Sequence, residues 1–380
     1  MTSTTAVPGS GAHAATRPAE HLLGWDHLEL WVGNARTTAA FFLSTLGFTC
    51  TGYAGPETGR RDRVSYVLEQ GSVRLVVTGA LDPDSPIAEH VRRHGDGVRV
   101  LAWEVDDAHA AFDAAVRAGA PARRAPAMAR DGDGWLVEAS VGLYGDTELA
   151  FVDRRAWPTA LFAPGFTTEG LPPDPVGPEV GVVRVDHVVG NVEGGRLATW
   201  VEFCEQVLGL SQLRSFDERQ ISTEYSALRS TVMWDRRTVT MPINEPAQGR
   251  RKSQIQEHLE AYRGPGVQHL ALATQDIVAT VEALRARGLR FLEVPDTYYA
   301  EARERVGDVD LPWDDLARLH VLVDRDGSGL LLQIFSETIT DRPTVFLELI
   351  ERRGARGFGE GNFKALFTAI ERDQARRGNL

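Results

Sequence analysis

Apolar residues recur along this chain with two periods, every second residue in short runs and every third or fourth in longer ones, which predicts strands alternating with amphipathic helices. The regular pattern begins near Leu23, where WDHLELWVGN reads as a strand, Ala35 to Leu46 as a helix, and Gly47-Phe48 as its exit. The same order returns at Asp186-His187, in VDHVVGNVEGGRLATWVEFCEQVLGLSQL. Further on, HGDGVRVLAWEVDDAHAAFDAAVRAGA from His94 matches GPGVQHLALATQDIVATVEALRARGL from Gly264, each a strand followed by a helix that ends at glycine. TELAFVDRR from Thr147 sits where VFLELIERR from Val345 sits. Thr223 to Ser230, Val239 to Glu245 and Leu330 to Ser336 read as further strands, and Ser253 to Tyr262 as a short helix.

These matches describe a duplication with a period near 160 residues, taken from Asp26 to Asp186. Such a period is too long for a solenoid and indicates two copies of a domain. The order inside each copy resembles paired βαβββ modules, an α+β arrangement in which a curved sheet wraps around a central cavity. Trp157 to Pro178 carries six prolines and reads as a linker. The expected organisation is a disordered tail over 1–20, a metal-free module pair over 21–156, a linker over 157–180 and a second module pair over 181–380. The last element follows from Phe363, Leu366, Phe367 and Ile370, whose i, i+3, i+4, i+7 spacing predicts a helix from Asn362 to Arg377 with Asn362 as N-cap. Gly357, Gly359 and Gly361 before it lack phosphate-loop spacing and read as a flexible hinge for a lid.

One residue breaks the apolar pattern. In Thr344 to Glu351 both strand faces are apolar, yet Glu348 lies among them. A buried carboxylate costs several kcal/mol or more unless a cation, a metal or a set of donors compensates it. Arg352 or Arg353 can do so in a structural ion pair. His187, central in RVDHVV, and His269, central in GVQHLALAT, offer another partner set. A lone histidine on an apolar strand is more often a hydrogen-bonded core residue than a ligand. Two imidazoles and one carboxylate, each centred in its own strand, supply the facial triad that suits non-haem Fe(II).

Composition narrows the partners. A formal charge of −12 and a pI near 5.4 argue against nucleic acid and anionic membrane surfaces. The two cysteines, Cys50 and Cys204, form neither a disulfide framework nor a zinc spacing, so a cytoplasmic location is expected. Residues 1–20 lack the basic and apolar regions of a signal peptide, and no run approaches the roughly 20 apolar residues of a membrane span.

The second copy and tail resemble the 4-hydroxyphenylpyruvate dioxygenase family, within the vicinal-oxygen-chelate (glyoxalase-like) superfamily. The resemblance is carried by VDHVVGNVE, TEYSALRS, MPINEPA, KSQIQE, GVQHLAL, LLQIF, DRPTVFLELIERRG and GFGEGNFKALF. The first copy resembles it only in layout and in motifs such as GDGV. The resemblance implies Fe(II) on His187, His269 and Glu348. It also implies Ser230, Asn244 and Gln254 as catalytic groups that hydrogen-bond the substrate phenol. Gln268, Gln333, Phe335, Phe358, Asn362 and Phe363 would be further substrate contacts. Strand geometry turns Gln268 and His269 to opposite faces, so either a bulge lies there or Gln268 acts from behind the ligands.

The implied reaction takes an aryl 2-oxo acid and O2, uses electrons from decarboxylation of the acid itself, and hydroxylates the ring with migration of the side chain to give homogentisate and CO2. A homo-oligomer is expected. Two rivals are 4-hydroxymandelate synthase, which oxidises the benzylic carbon of the same substrate, and a metal-free module that sequesters an aromatic ligand. Asn244 and Phe363 resemble the ring-hydroxylating branch. Aligning the copies sets His27 opposite His187, Val100 opposite His269 and Ala150 opposite Glu348, so one iron per chain is expected. Glu148 lies on the same strand face as Ala150, where a register slip would offer a carboxylate, but no second histidine accompanies it.

Overall fold

The computed structural model describes residues 16–132, 134–157, 161–173, 179–217 and 227–378. It contains two eight-stranded sheets with the same strand order. In the N-terminal sheet that order is Thr49–Ala54, Arg63–Gln70, Val73–Ala80, Leu22–Val32, Gly97–Val105, Glu148–Asp153, Gly134–Gly142 and Ala122–Asp131. In the C-terminal sheet it is Ser211–Phe216, Ala227–Trp234, Thr240–Ala247, Val182–Asn191, Gly266–Thr274, Phe346–Arg353, Gly329–Phe335 and Leu322–Asp326. Each sheet has an antiparallel central pair, flanked on both sides by a parallel neighbour. The architecture is that of two tandem glyoxalase-like curled sheets with a helix at the C-terminus, an α+β fold.

Period-two patterning explains the strands. In Leu22–Val32, Leu28, Leu30 and Val32 are buried on one face, while His27 and Glu29 occupy the other. The helices start where side chains can cap them. Asn34, Asp107 and Asp276 each accept a hydrogen bond from the backbone N–H three residues on, and so open the helices Ala35–Ser44, Ala108–Arg117 and Ile277–Ala286. Ala35, Ala39, Phe42 and Leu43 then form the buried stripe of the first. Phe42 is fully buried, which contributes roughly 1.5–3 kcal/mol.

One apolar cluster runs through both halves, from Leu22 to Leu349. The halves approach closely where Tyr144 crosses the Val182–Asn191 strand. A Cβ at Gly190 would lie 2.3 Å from the Tyr144 ring, so this position has room only for glycine.

Three expectations change. The tail assigned to 1–20 lies outside the described residues up to 15, but Pro18–Glu20 forms a short 3-10 helix with Pro18 buried. Of the stretch read as a linker, 158–160 and 174–178 lie outside the described residues, and 161–167 packs onto the N-terminal sheet. Phe166 is buried with Ala54 and Val67, Phe162 stands edge-on to His27 at 5.1 Å, and Thr167 bridges Tyr53. Prolines gave the stretch its linker appearance, while its aromatic residues give it a docking face. The hinge read as flexible is strapped: Asp326 accepts from the N–H groups of Arg356 and Gly357, and Asp324 from that of Gly361.

Candidate metal centre and pocket

His187, His269 and Glu348 come from three adjacent strands at the middle of the C-terminal sheet. Ala271 pairs with His187 on one side and with Glu348 on the other, and His269 lies two residues before it on the same face. The small Ala271 side chain, fully buried, leaves the space between the three open. Their ligand atoms all lie within 4.8 Å of one another. Glu348 Oε2 is 3.1 Å from His187 Nε2 and 3.4 Å from His269 Nε2.

Each imidazole is oriented from behind. His187 Nδ1–H donates to Asp186 at 2.9 Å, and Arg352 holds that carboxylate through Nε and Nη2 at 2.9 Å. His269 Nδ1–H donates to Gln268 Oε1 at 3.3 Å. Both Nε2 atoms therefore face Glu348, the arrangement that metal-binding histidines need. Burial works against charge at all three residues. It lowers His187, but the Glu348 and Asp186 carboxylates outweigh it and raise the pKa to about 9. It raises Glu348, but the two imidazoles bring it down to about 2. His269 is lowered, with burial the largest cause and the Glu348 contact opposing it. Two buried imidazoles, a buried carboxylate and second nitrogens already engaged form a donor set that fits a divalent metal.

The group opens into a cavity of about 100 Å³. Ser230, Asn244, Gln254, Gln268, Gln333, Phe335, Phe358 and Phe363 all line it. A register shift between Val267 and His269 marks the bulge that lets Gln268 reach the pocket while also holding His269. Ser230 and Asn244 are direct cross-strand partners. Phe335 stands opposite Glu348 in register.

Asn362 is the exception. It is fully buried, lies outside the lining, and makes no side-chain cap to the helix Phe363–Arg376. Its Oδ1 accepts from the Tyr298 hydroxyl at 2.6 Å and from Arg305 Nη2 at 3.1 Å. Asn362 thus fastens the start of the C-terminal helix to the helix Thr297–Val306. From this anchorage Phe363, Leu366, Phe367 and Ile370 reach the cavity, with Phe363 edge-on to Phe216 at 5.2 Å.

Other lining residues were not singled out from the sequence: Val189, Phe216, Leu228, Val232, Pro242 and Phe346. All but Phe216 lie two residues from a residue that was, so strand alternation carried their signal. Phe346 stacks on the His269 ring at 4.7 Å.

Comparison with known proteins agrees with this geometry. The Glyoxalase/Bleomycin resistance protein/Dioxygenase superfamily matches residues 26–137 and again 184–334. The 4-hydroxyphenylpyruvate dioxygenase of Yarrowia lipolytica is 40% identical over 97% of this chain and 96% of its own length. The Dictyostelium discoideum enzyme of that name is 43% identical over 94% of the chain and 100% of its own length. Among solved structures, a mutant of 4-hydroxymandelate synthase from Streptomyces coelicolor superposes with a TM-score of 0.81 at 37% identity, covering 93% of this chain and 99% of that one. With two glyoxalase-like sheets, a buried His-His-Glu group and such identity over nearly its whole length, the chain belongs to the 4-hydroxyphenylpyruvate dioxygenase family.

Proposed function

We propose that this protein is an Fe(II)-dependent dioxygenase that converts 4-hydroxyphenylpyruvate and O2 to homogentisate and CO2. The observation that carries the reading is the buried His187–His269–Glu348 group, with both Nδ1 atoms already committed, facing a pocket lined by Ser230, Asn244 and Gln254. A ferrous ion held by these three residues would chelate the 2-oxo acid and activate O2.

The remaining work belongs to the protein. Asn244 pairs with Asn191, four residues along the strand from His187, which sets the two ends of the pocket roughly 13 Å apart at the backbone. Ser230, Asn244 and Gln254 would hold the phenol, while Phe335, Phe358 and Phe363 confine the ring and keep water out. Gln268 would orient His269, and Asp186 with Arg352 would orient His187. In this reading the N-terminal half binds no metal.

The structural likeness to 4-hydroxymandelate synthase supports a second reading, benzylic oxidation of the same substrate. Product identification by chromatography and NMR against both authentic isomers, which share one mass, tests both readings, with O2 uptake and iron analysis alongside. Homogentisate supports the proposal, and 4-hydroxymandelate as the main product overturns it.

A further inference from the structure

A second cavity, of about 650 Å³, lies between the two halves. The N-terminal half contributes Trp25 and Glu104, the C-terminal half the Trp234–Thr240 hairpin and the segment from Arg352 to Phe358. Five arginines line it, Arg184, Arg236, Arg237, Arg352 and Arg356, against two carboxylates, Asp186 and Glu104. Asp186 is already held by Arg352 at 2.9 Å, Arg184 at 3.1 Å and His187. At the start of the hairpin, Asp235 directs its carboxylate to the backbone N–H groups of Arg237, Thr238 and Val239. Among the described residues, no carboxylate lies within ion-pair distance of Arg236, Arg237 or Arg356. The cavity is therefore electropositive in a chain whose net charge is −12.

Its position is as informative as its charge. Phe358 lines this cavity and the catalytic pocket alike. The ring stands edge-on to His187 at 5.2 Å, and the Arg352 guanidinium lies 5.3 Å from its centre. Glycines on both sides of Phe358 offer no side chain to block its rotation. Trp25 and Trp234 supply aromatic walls next to the arginines, a combination suited to a ligand with a ring and a carboxylate.

We propose that this interdomain cavity is a second binding site, a vestibule where an aryl carboxylate docks on Arg236, Arg237 and Arg356 before passing Phe358 into the catalytic pocket. The identity of the natural anion rests on the proposed function, whereas the site itself does not. Electrostatic capture raises the rate of productive encounter and fades with salt, so it acts on kcat/KM and leaves kcat alone.

The test uses the iron-loaded enzyme and R236E/R237E. Between about 0.02 and 0.5 M ionic strength, kcat/KM of the wild type for 4-hydroxyphenylpyruvate should fall, while the variant should start roughly three- to tenfold lower and lose that deficit as salt rises. Its kcat should match the wild type. Equal kcat/KM at low salt, or a loss of kcat at equal iron content, overturns the vestibule. A binding measurement separates this proposal from the proposed function. The probe is 4-hydroxyphenylacetate, which lacks the keto oxygen and so has no chelating pair. It should quench tryptophan fluorescence saturably in the wild type and in Glu348→Ala. Quenching should be lost in Trp234→Phe and in R236E/R237E. Quenching that survives the double charge reversal overturns the site. Failure of the wild type to turn over 4-hydroxyphenylpyruvate overturns the proposed function, and the titration still decides the vestibule.

Discussion

Replacing Tyr298 by Phe should loosen the C-terminal helix without touching the metal group. The substitution removes one hydroxyl, which donates to Asn362 Oδ1 at 2.6 Å and accepts from the Val323 N–H at 2.7 Å. The two losses act on different equilibria. Val323 belongs to the sheet, so its buried N–H loses its acceptor whether or not the helix is docked, lowering overall stability by roughly 1–3 kcal/mol. The Asn362 contact exists only in the docked state, and its net loss of about 1 kcal/mol raises the undocked population roughly fivefold. Cleavage in the glycine segment 357–361 under native conditions follows that population and should accelerate by the same factor. Product formed per O2 consumed should fall, because Phe363 and Phe367 then cover the pocket less completely. A double-mutant cycle with Asn362→Ala isolates the contact and should return a coupling of about 1 kcal/mol. Unchanged cleavage together with a lowered melting temperature would refute the reasoning, since the hydroxyl would then serve the sheet alone.

Three further outcomes are expected. Glu348→Ala should abolish iron binding and turnover yet keep the melting temperature within a few degrees, because His187 owes its raised pKa to the Glu348 and Asp186 carboxylates and no stranded charge remains; iron analysis and calorimetry check this, and full activity would rule out the triad. His258 is buried, donates through Nε2 to the Val267 carbonyl at 3.3 Å, and has its pKa lowered by burial to about 4. The unfolded chain takes up that proton near pH 6.5, so the stability tied to neutral His258 is present above about pH 6.5 and lost as pH falls through 4, up to about 3 kcal/mol; urea midpoints at pH 7 and pH 4.5 should converge in His258→Leu relative to the wild type. Metal analysis should give about one iron per chain, unchanged in His27→Ala and lost in His187→Ala, and two irons per chain would overturn the assignment.

The clustering of His187, His269 and Glu348 was legible in the sequence because these residues violate the pattern around them. A carboxylate and two imidazoles at the centres of apolar strands carry a cost that only a partner offsets, and the strand period gives their faces. The repeat alignment was equally legible: Val100 and Ala150 occupy in the N-terminal sheet the register positions of His269 and Glu348. What escaped depends on contacts distant in sequence. The sequence left open whether a bulge lies at Gln268, because pairing with the Val182–Asn191 strand decides it. Asn362 faces Tyr298 and Arg305 because the helix Thr297–Val306, about 60 residues earlier in the chain, brings both partners beside it. Three glycines suggested a mobile hinge, but Asp324 and Asp326 hold its amides from another strand.

The N-terminal half explains what the duplication retained. Asp26 accepts from His27 Nδ1–H at 2.6 Å and from Arg154 Nη2 at 3.0 Å, as Asp186 does from His187 and Arg352. Phe162 stands 5.1 Å from the His27 ring with Arg154 at 4.7 Å from its own centre, and Phe358 meets His187 and Arg352 at 5.2 and 5.3 Å. In both halves, then, the segment after the last paired strand returns across the sheet and seats a phenylalanine on the histidine. An Asp–His–Arg unit of this kind satisfies its own hydrogen bonds and is stable in a buried place without metal. His269 and Glu348, which face inward, lean on each other and on His187 instead. Where they are absent, Val100 and Ala150 join Ala102 and Val152 in an apolar patch. The Asp–His–Arg unit is therefore part of how each sheet closes on itself, and the C-terminal half differs in adding to it a carboxylate and a second histidine, the donor set that fits a divalent cation.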